Sequence, residues 1–196
     1  MEINETALKY KSQPLQDGKY TYADYAKWPD DGNRYELIDG YVYKMSGTLR
    51  IHQEISGNLC GLLWNYLRGK PCEIYAAPFD IRLNGKGDED DTVVQPDISV
   101  ICDCDKLDDI GCNGAPDLII EILSYSSFKY DRLIKFNKYL QTCVREYWIV
   151  NPTYKSVDVF ILNEGRYDFA LYSEDDTIDV HVLEGCQIAL RDIFEI

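Results

Sequence analysis

Asp117-Leu118-Ile119-Ile120-Glu121-Ile122-Leu123 and, upstream, Val94-Gln95-Pro96-Asp97-Ile98-Ser99 decide how this chain is read. Both are apolar, β-branched runs of strand length, each bounded by turn-forming residues. Each carries one acid in otherwise apolar surroundings. An ionised carboxylate there is costly unless it is paired or bound to a metal. Two carboxylates on neighbouring strands can converge on one hard cation, and Mg²⁺ takes one or two of them while keeping other positions for water and phosphate oxygens. Such a cation lowers the pKa of a bound water and stabilises charge developing on a phosphodiester. Spacing alone leaves a plainer alternative open, in which Asp97 ends a strand and Glu121 faces solvent or pairs with a cation.

Outward from these strands the pattern alternates. Upstream, Ile55, Leu59, Leu62, Leu63, Tyr66 and Leu67 form one apolar stripe at helical spacing, ending near Gly69 and Pro71. Before it, Tyr35–Met45 reads as a hairpin around Asp39-Gly40, and Thr21 caps a short helix reaching Trp28. Strands are expected over 73–83, 92–101 and 117–123, separated by acidic loops at 84–91 and 102–115, the first of them solvated. A helix is expected over 128–141, a buried strand over 146–150, and β runs over 157–162, 167–172 and 177–183. The fold class is therefore α/β (α+β), a central mixed sheet flanked by helices with added antiparallel C-terminal strands. Residues 1–19 are polar and read as a loosely ordered arm, leaving 20–196 as a single domain.

Composition narrows the function. The chain has 196 residues, 45% hydrophobic and 28% charged, with a net charge of −14. That balance argues against holding nucleic acid by bulk charge, though not against a local basic face. The basic segment is 129–145, where Lys129, Arg132, Lys135, Lys138 and Arg145 face a single acid, Asp131. It follows directly on Glu121, so a lysine there is placed to neutralise charge or orient a water, or else simply solvates an amphipathic helix. No long apolar run suggests a secretory signal or a membrane span. The seven cysteines are scattered, which fits a reducing cytoplasm with cysteine as a small hydrophobe. Cys102, Cys104 and Cys112 fall one ligand short of a structural zinc set.

A series of motifs carries a family likeness. Tyr35-Glu36-Leu37-Ile38-Asp39-Gly40, then His52 opening a helix, then Val94-Gln95-Pro96-Asp97-Ile98-Ser99 stand in order. Glu121-Ile122-Leu123-Ser124, Asp131-Arg132-Leu133-Ile134-Lys135 and Glu146-Tyr147-Trp148-Ile149-Val150-Asn151-Pro152 follow. Together they resemble the Uma-type restriction endonucleases, a branch of the PD-(D/E)XK nuclease superfamily, over roughly residues 20 to 195. The resemblance implies a restriction-endonuclease-like core, often in a homodimer, with DNA as substrate and Mg²⁺ or Mn²⁺ as cofactor. No organic cofactor is expected, and the lack of apolar runs and the cysteine usage lead to the expectation of no membrane and a cytoplasmic location. The resemblance places metal ligands at Asp97 and Glu121 and a supporting glutamate at Glu36. The motif lysine belongs two residues after the second acid, where this chain has Leu123. Lys135 on the following helix looks like the substitute, ahead of Lys138. Tyr125 stands where the family has a proline.

Two other classes of function stay open on the residues. One is an inactive, acidic interaction protein of the same fold that mimics DNA toward a basic partner. The other is a nuclease for RNA or repair intermediates. His52 reads as a phosphate ligand, a metal ligand or a structural residue, and Tyr139 as packing that reaches the face of Lys135.

Overall fold

Two prolines divide the strands of this chain between two sheets. The computed structural model describes residues 19–45, 47, 49–124 and 134–195. Over them run α1 (Tyr22–Tyr25), β1 (Tyr35–Ile38), β2 (Tyr41–Lys44), α2 (Arg50–Leu67), β3 (Glu73–Ala76) and β4 (Ile81–Arg82). Next come β5 (Val93–Val94), β6 (Ile98–Ile101), β7 (Leu107–Asp108), β8 (Gly111–Asn113), β9 (Leu118–Ile122) and α3 (Phe136–Gln141). The chain continues through β10 (Glu146–Asn151), β11 (Ser156–Asn163), β12 (Arg166–Ser173), β13 (Thr177–Asp179), β14 (Gln187–Ala189) and α4 (Arg191–Phe194).

The expected strand 73–83 breaks at Pro78, and the expected strand 92–101 breaks at Pro96. Proline has no N–H for a ladder and cannot sit in the middle of a paired strand. Each strand therefore ends, and the chain resumes in another sheet. One six-stranded sheet has the order β2-β1-β5-β4-β8-β7 and the other β12-β11-β10-β9-β6-β3, with β13 and β14 paired apart. The expected central mixed sheet is the second of these, and the two sheets share a seam at residues 77–80 and 95–97. At that seam the Ala77 N–H donates to the carbonyl of Asp97 at 3.0 Å.

The second sheet is the central one. β9 and β10 run parallel, while β3, β6, β11 and β12 pair antiparallel with their neighbours. All five residues of β9 are buried, because both faces of this strand are covered. One face packs Leu118, Ile120 and Trp148 against Ile55, Leu59 and Leu63 of α2 and against Ile188 and Ile193. The other packs Ile119, Tyr147 and Ile149 against Tyr139 of α3 and against Ile38, Ile81 and Val94 of the first sheet. The apolar stripe read from the sequence is the face α2 buries, although the helix starts a turn before Ile55.

Other expectations need correction. The loop 102–115 contains the β7–β8 hairpin. The run 177–183 is strand only to Asp179. In the loop 84–91, Asp90 is buried and accepts the amide N–H groups of Asn84 and Thr92, both at 2.9 Å, so it ties the loop together rather than solvating it. Cys72 and Cys102 are bonded as a disulfide, against the reading of all cysteines as reduced. They stand next to the Glu73–Ile101 pair of the β3–β6 ladder, which brings them opposite each other. Residues 1–18 of the expected arm and 128–133 of the expected helix lie outside the described residues, so Lys129, Asp131 and Arg132 go with them.

Candidate active site at the seam between the sheets

Register decides where the two strand acids meet. β6 pairs antiparallel with β9 through Ile98 and Ile120. Asp97 directly precedes β6, so it lies one step beyond that pair, level with Glu121. Because β6 begins where β9 ends, both acids sit at the C-terminal end of β9, beside the break at Pro96.

Asp97 is held by two donors. Its Oδ2 accepts the Ile122 N–H at 2.8 Å and lies 3.0 Å from Nε2 of His52. A carboxylate offers only acceptors, so Nε2 carries a hydrogen and donates. Nδ1 is buried with no hydrogen-bond partner among the described residues. Oδ1 of Asp97 likewise accepts no hydrogen bond among them, and the Asp97 side chain is 15% exposed. His52 reaches the acid because it lies in the first turn of α2, the helix packed under β6 and β9.

Glu121 is held by a cation and a phenol. Lys135 Nζ donates to Glu121 Oε1 at 2.9 Å, and Tyr139 Oη donates to the same oxygen at 2.7 Å. Lys135 also lies 2.8 Å from Oε1 of Glu36 on β1, a contact that bridges the two sheets. All three charged residues are buried, at 1% for Glu36, 3% for Glu121 and 2% for Lys135. Two carboxylates in such a place repel each other and lose hydration, and one ammonium between them offsets both costs. The Tyr139 hydroxyl is pushed well above its ordinary range, first by burial and then by the neighbouring Glu121 and Glu36 carboxylates. It therefore stays protonated and remains a donor.

Glu36 is fixed in turn from the Pro96 side. Its Oε1 accepts the Gln95 amide N–H at 2.8 Å. The Gln95 side chain is clamped by Arg34 Nε at 2.8 Å and donates to Asp80 Oδ1 at 2.7 Å. Burial pushes the Asp80 carboxyl up, and its bonds to Gln95 and Tyr25 pull it back.

The structure brings together three residues singled out from the sequence, Glu121, Glu36 and Lys135, and sets Asp97 on the amide of Ile122, next along the strand from Glu121. Lys138 instead pairs with Asp39. Of the two residues that the sequence marked only weakly, Tyr139 joins Glu121 and His52 joins Asp97. Asp158 was missed altogether. It is buried and stands on the Glu121 face, since Ile149 pairs with Glu121 on one side and with Asp158 on the other. At about 4.8 Å per strand, its backbone is about 10 Å from that of Glu121. Its position between Val157 and Val159 gives the alternation of a solvent-facing residue, which hid it.

Among the described residues no three His, Cys, Asp or Glu side chains form a ready cation cage. The oxygen donors nevertheless suit a hard divalent cation, which takes one or two carboxylates and completes its shell with water. The uncommitted Oδ1 of Asp97, level with Glu121, is the observation that fits such an ion.

The chain is similar to known proteins in sequence and in fold. A family model named Uma2, described as "Putative restriction endonuclease", matches residues 22–191. An uncharacterized protein of Synechocystis, slr1290, is 29% identical over 165 residues, which cover 83% of this chain and 85% of that protein. A crystal structure from Anabaena variabilis, titled as a "putative nuclease belonging to DUF820", superposes with a TM-score of 0.70 at 19% identity. The match covers 89% of this chain and 97% of the other, so the fold is shared.

Proposed function

The chain belongs to the Uma2 family, and on that premise we propose that it is a metal-dependent endonuclease hydrolysing phosphodiester bonds in DNA. The observation that carries this reading is the placement of Asp97, just before β6, level with Glu121 of β9, whose carboxylate the buried Lys135 holds. Asp97 and Glu121 would hold Mg²⁺ or Mn²⁺. A divalent cation at these acids acidifies water and stabilises the charge that develops on a phosphodiester in the transition state.

The chain's own residues do the rest. Lys135 adds positive charge where phosphate oxygens would gather, in a site dry enough for that charge to act strongly. Glu36 serves as the anchor that aims Lys135, because its carboxylate is committed to the ammonium and to the Gln95 amide. Tyr139 fixes Glu121, and His52 with the Ile122 amide fixes Asp97. The displaced lysine thus reaches the second acid from a helix instead of from the strand that bears it.

The test is Mn²⁺ and Mg²⁺ binding by calorimetry on the wild type and on Asp97→Ala, followed by cleavage of a DNA panel. Asp97→Ala is expected to lose metal binding and cleavage while melting as a folded protein. A folded Asp97→Ala that binds metal or cuts DNA like the wild type would overturn the assignment.

A further inference from the structure

A cavity of about 500 Å³ opens at the end of β9 and β10, on the side of Asp97 where His52 stands. It is lined by Leu49, Ile51 and His52 from the start of α2, by Leu123 and Ser124 after β9, and by the turn 151–154 after β10. That volume is in the range of small-molecule sites. Its walls are of two kinds. One is polar: the N-terminus of an 18-residue helix whose N-cap is Leu49, a residue with no side-chain acceptor for the first amides. The helix dipole and those amides favour an anion there. His52 belongs to the same wall; its side chain is 6% exposed and its Nδ1 has no partner among the described residues.

The other wall is aromatic and apolar. Tyr154 is 78% exposed and Leu49 63% exposed, large side chains standing uncovered at the mouth. The Tyr154 backbone is set rigidly. Asn151 Oδ1 accepts the amide N–H groups of Thr153 at 3.1 Å and of Tyr154 at 3.2 Å. A helix terminus for an anion, an exposed ring for a flat apolar group, and direct continuity with Asp97 through His52 match the chemistry of one nucleotide.

We propose that this cavity takes an unpaired nucleotide of the bound strand next to the phosphate being cut, its base on the Tyr154 ring and its phosphate toward the start of α2. The proposal rests on the nuclease reading above and narrows it. Bases inside a duplex are stacked and cannot cover Tyr154, so the favoured substrate is single-stranded or locally unpaired DNA.

The experiment measures binding of a phosphorothioate-linked single-stranded oligonucleotide, which resists cleavage, and of its blunt duplex, by fluorescence anisotropy in Mg²⁺. The wild type should bind the single strand more tightly than the duplex. Tyr154→Ala should weaken single-strand binding roughly tenfold, the usual loss of one base–aromatic stack, while Tyr154→Phe keeps it. Equal single-strand affinity in the wild type and Tyr154→Ala, or a wild type that prefers the duplex, would overturn the proposal. In either of those cases metal binding at Asp97 and duplex cleavage still support a nuclease. A wild type that binds neither oligonucleotide would overturn the proposal and the nuclease reading together.

Discussion

Glu121 and Glu146 are both buried glutamates of the central sheet, on adjacent strands, but on opposite faces. Glu146 pairs with Leu118 in the parallel β9–β10 ladder, so it faces α2, whereas Glu121 faces α3. Around Glu146 the donors are neutral groups: the Trp148 indole N–H at 2.7 Å and the Val182 amide at 2.9 Å. Burial lifts its carboxyl above the usual glutamate range, and those bonds pull it only part of the way back. Around Glu121 stand an ammonium, a phenol and a second carboxylate. The difference teaches that an acid buried in a strand is not by itself a sign of catalysis. Converging charge sets the Glu121 cluster apart, whereas Glu146 latches the 180s loop onto β10.

Substitutions at three residues sharpen that contrast. The largest effect is expected from Lys135→Met, which leaves Glu36 and Glu121 buried without their shared cation. Breaking a buried ion pair in this way costs about 3–5 kcal/mol, to be read from urea denaturation. Lys135→Met unfolding at the same urea midpoint as the wild type would show that the cluster on the Glu121 face is not a buried ion network.

An intermediate effect is expected from Glu146→Ala. It strands two buried donors, for a loss of about 2–3 kcal/mol, with Mn²⁺ affinity unchanged by calorimetry. Glu146 also sets a pH dependence. Its folded pKa lies above its unfolded one, so between those two values the folded state holds the extra proton. Stability therefore falls as pH rises through that window and levels off above it. Thermal melts across the window should show a flatter profile for Glu146→Gln than for the wild type. A slope unchanged by the substitution would assign the titration to another group.

The smallest effect is expected from Tyr139→Phe, which removes one hydrogen bond to Glu121. About 1 kcal/mol of stability should be lost, along with part of the metal affinity. Losing stability alone would place Tyr139 with Glu146, among groups that hold the fold and do nothing more.

Much of the molecule was legible in the sequence. The apolar stripe of α2, the Asp39-Gly40 hairpin and the run Leu118–Ile122 depend on period and turn chemistry, which are local properties. The order of the acids and of Lys135 carried the family likeness, and the order of motifs survives whatever path the chain takes between them. Local pattern failed where partners come from afar. Strands were expected straight across Pro78 and Pro96, and even a proline break does not say which sheet the chain joins next. His52 looked like any first-turn histidine, since only the packing of α2 under β6 and β9 brings Nε2 to Asp97. Asp158 kept the alternation of an exposed residue, and Glu146 carried the same signal as Glu121.

The sequence by itself determined which residues are acids, bases and strand formers, because composition and periodicity act over a few residues. Only the tertiary structure decided which acids meet. The β6–β9 register and the seam between the sheets place Asp97 level with Glu121 and leave Glu146 alone on the far face, and strand register is set by burial across the whole sheet.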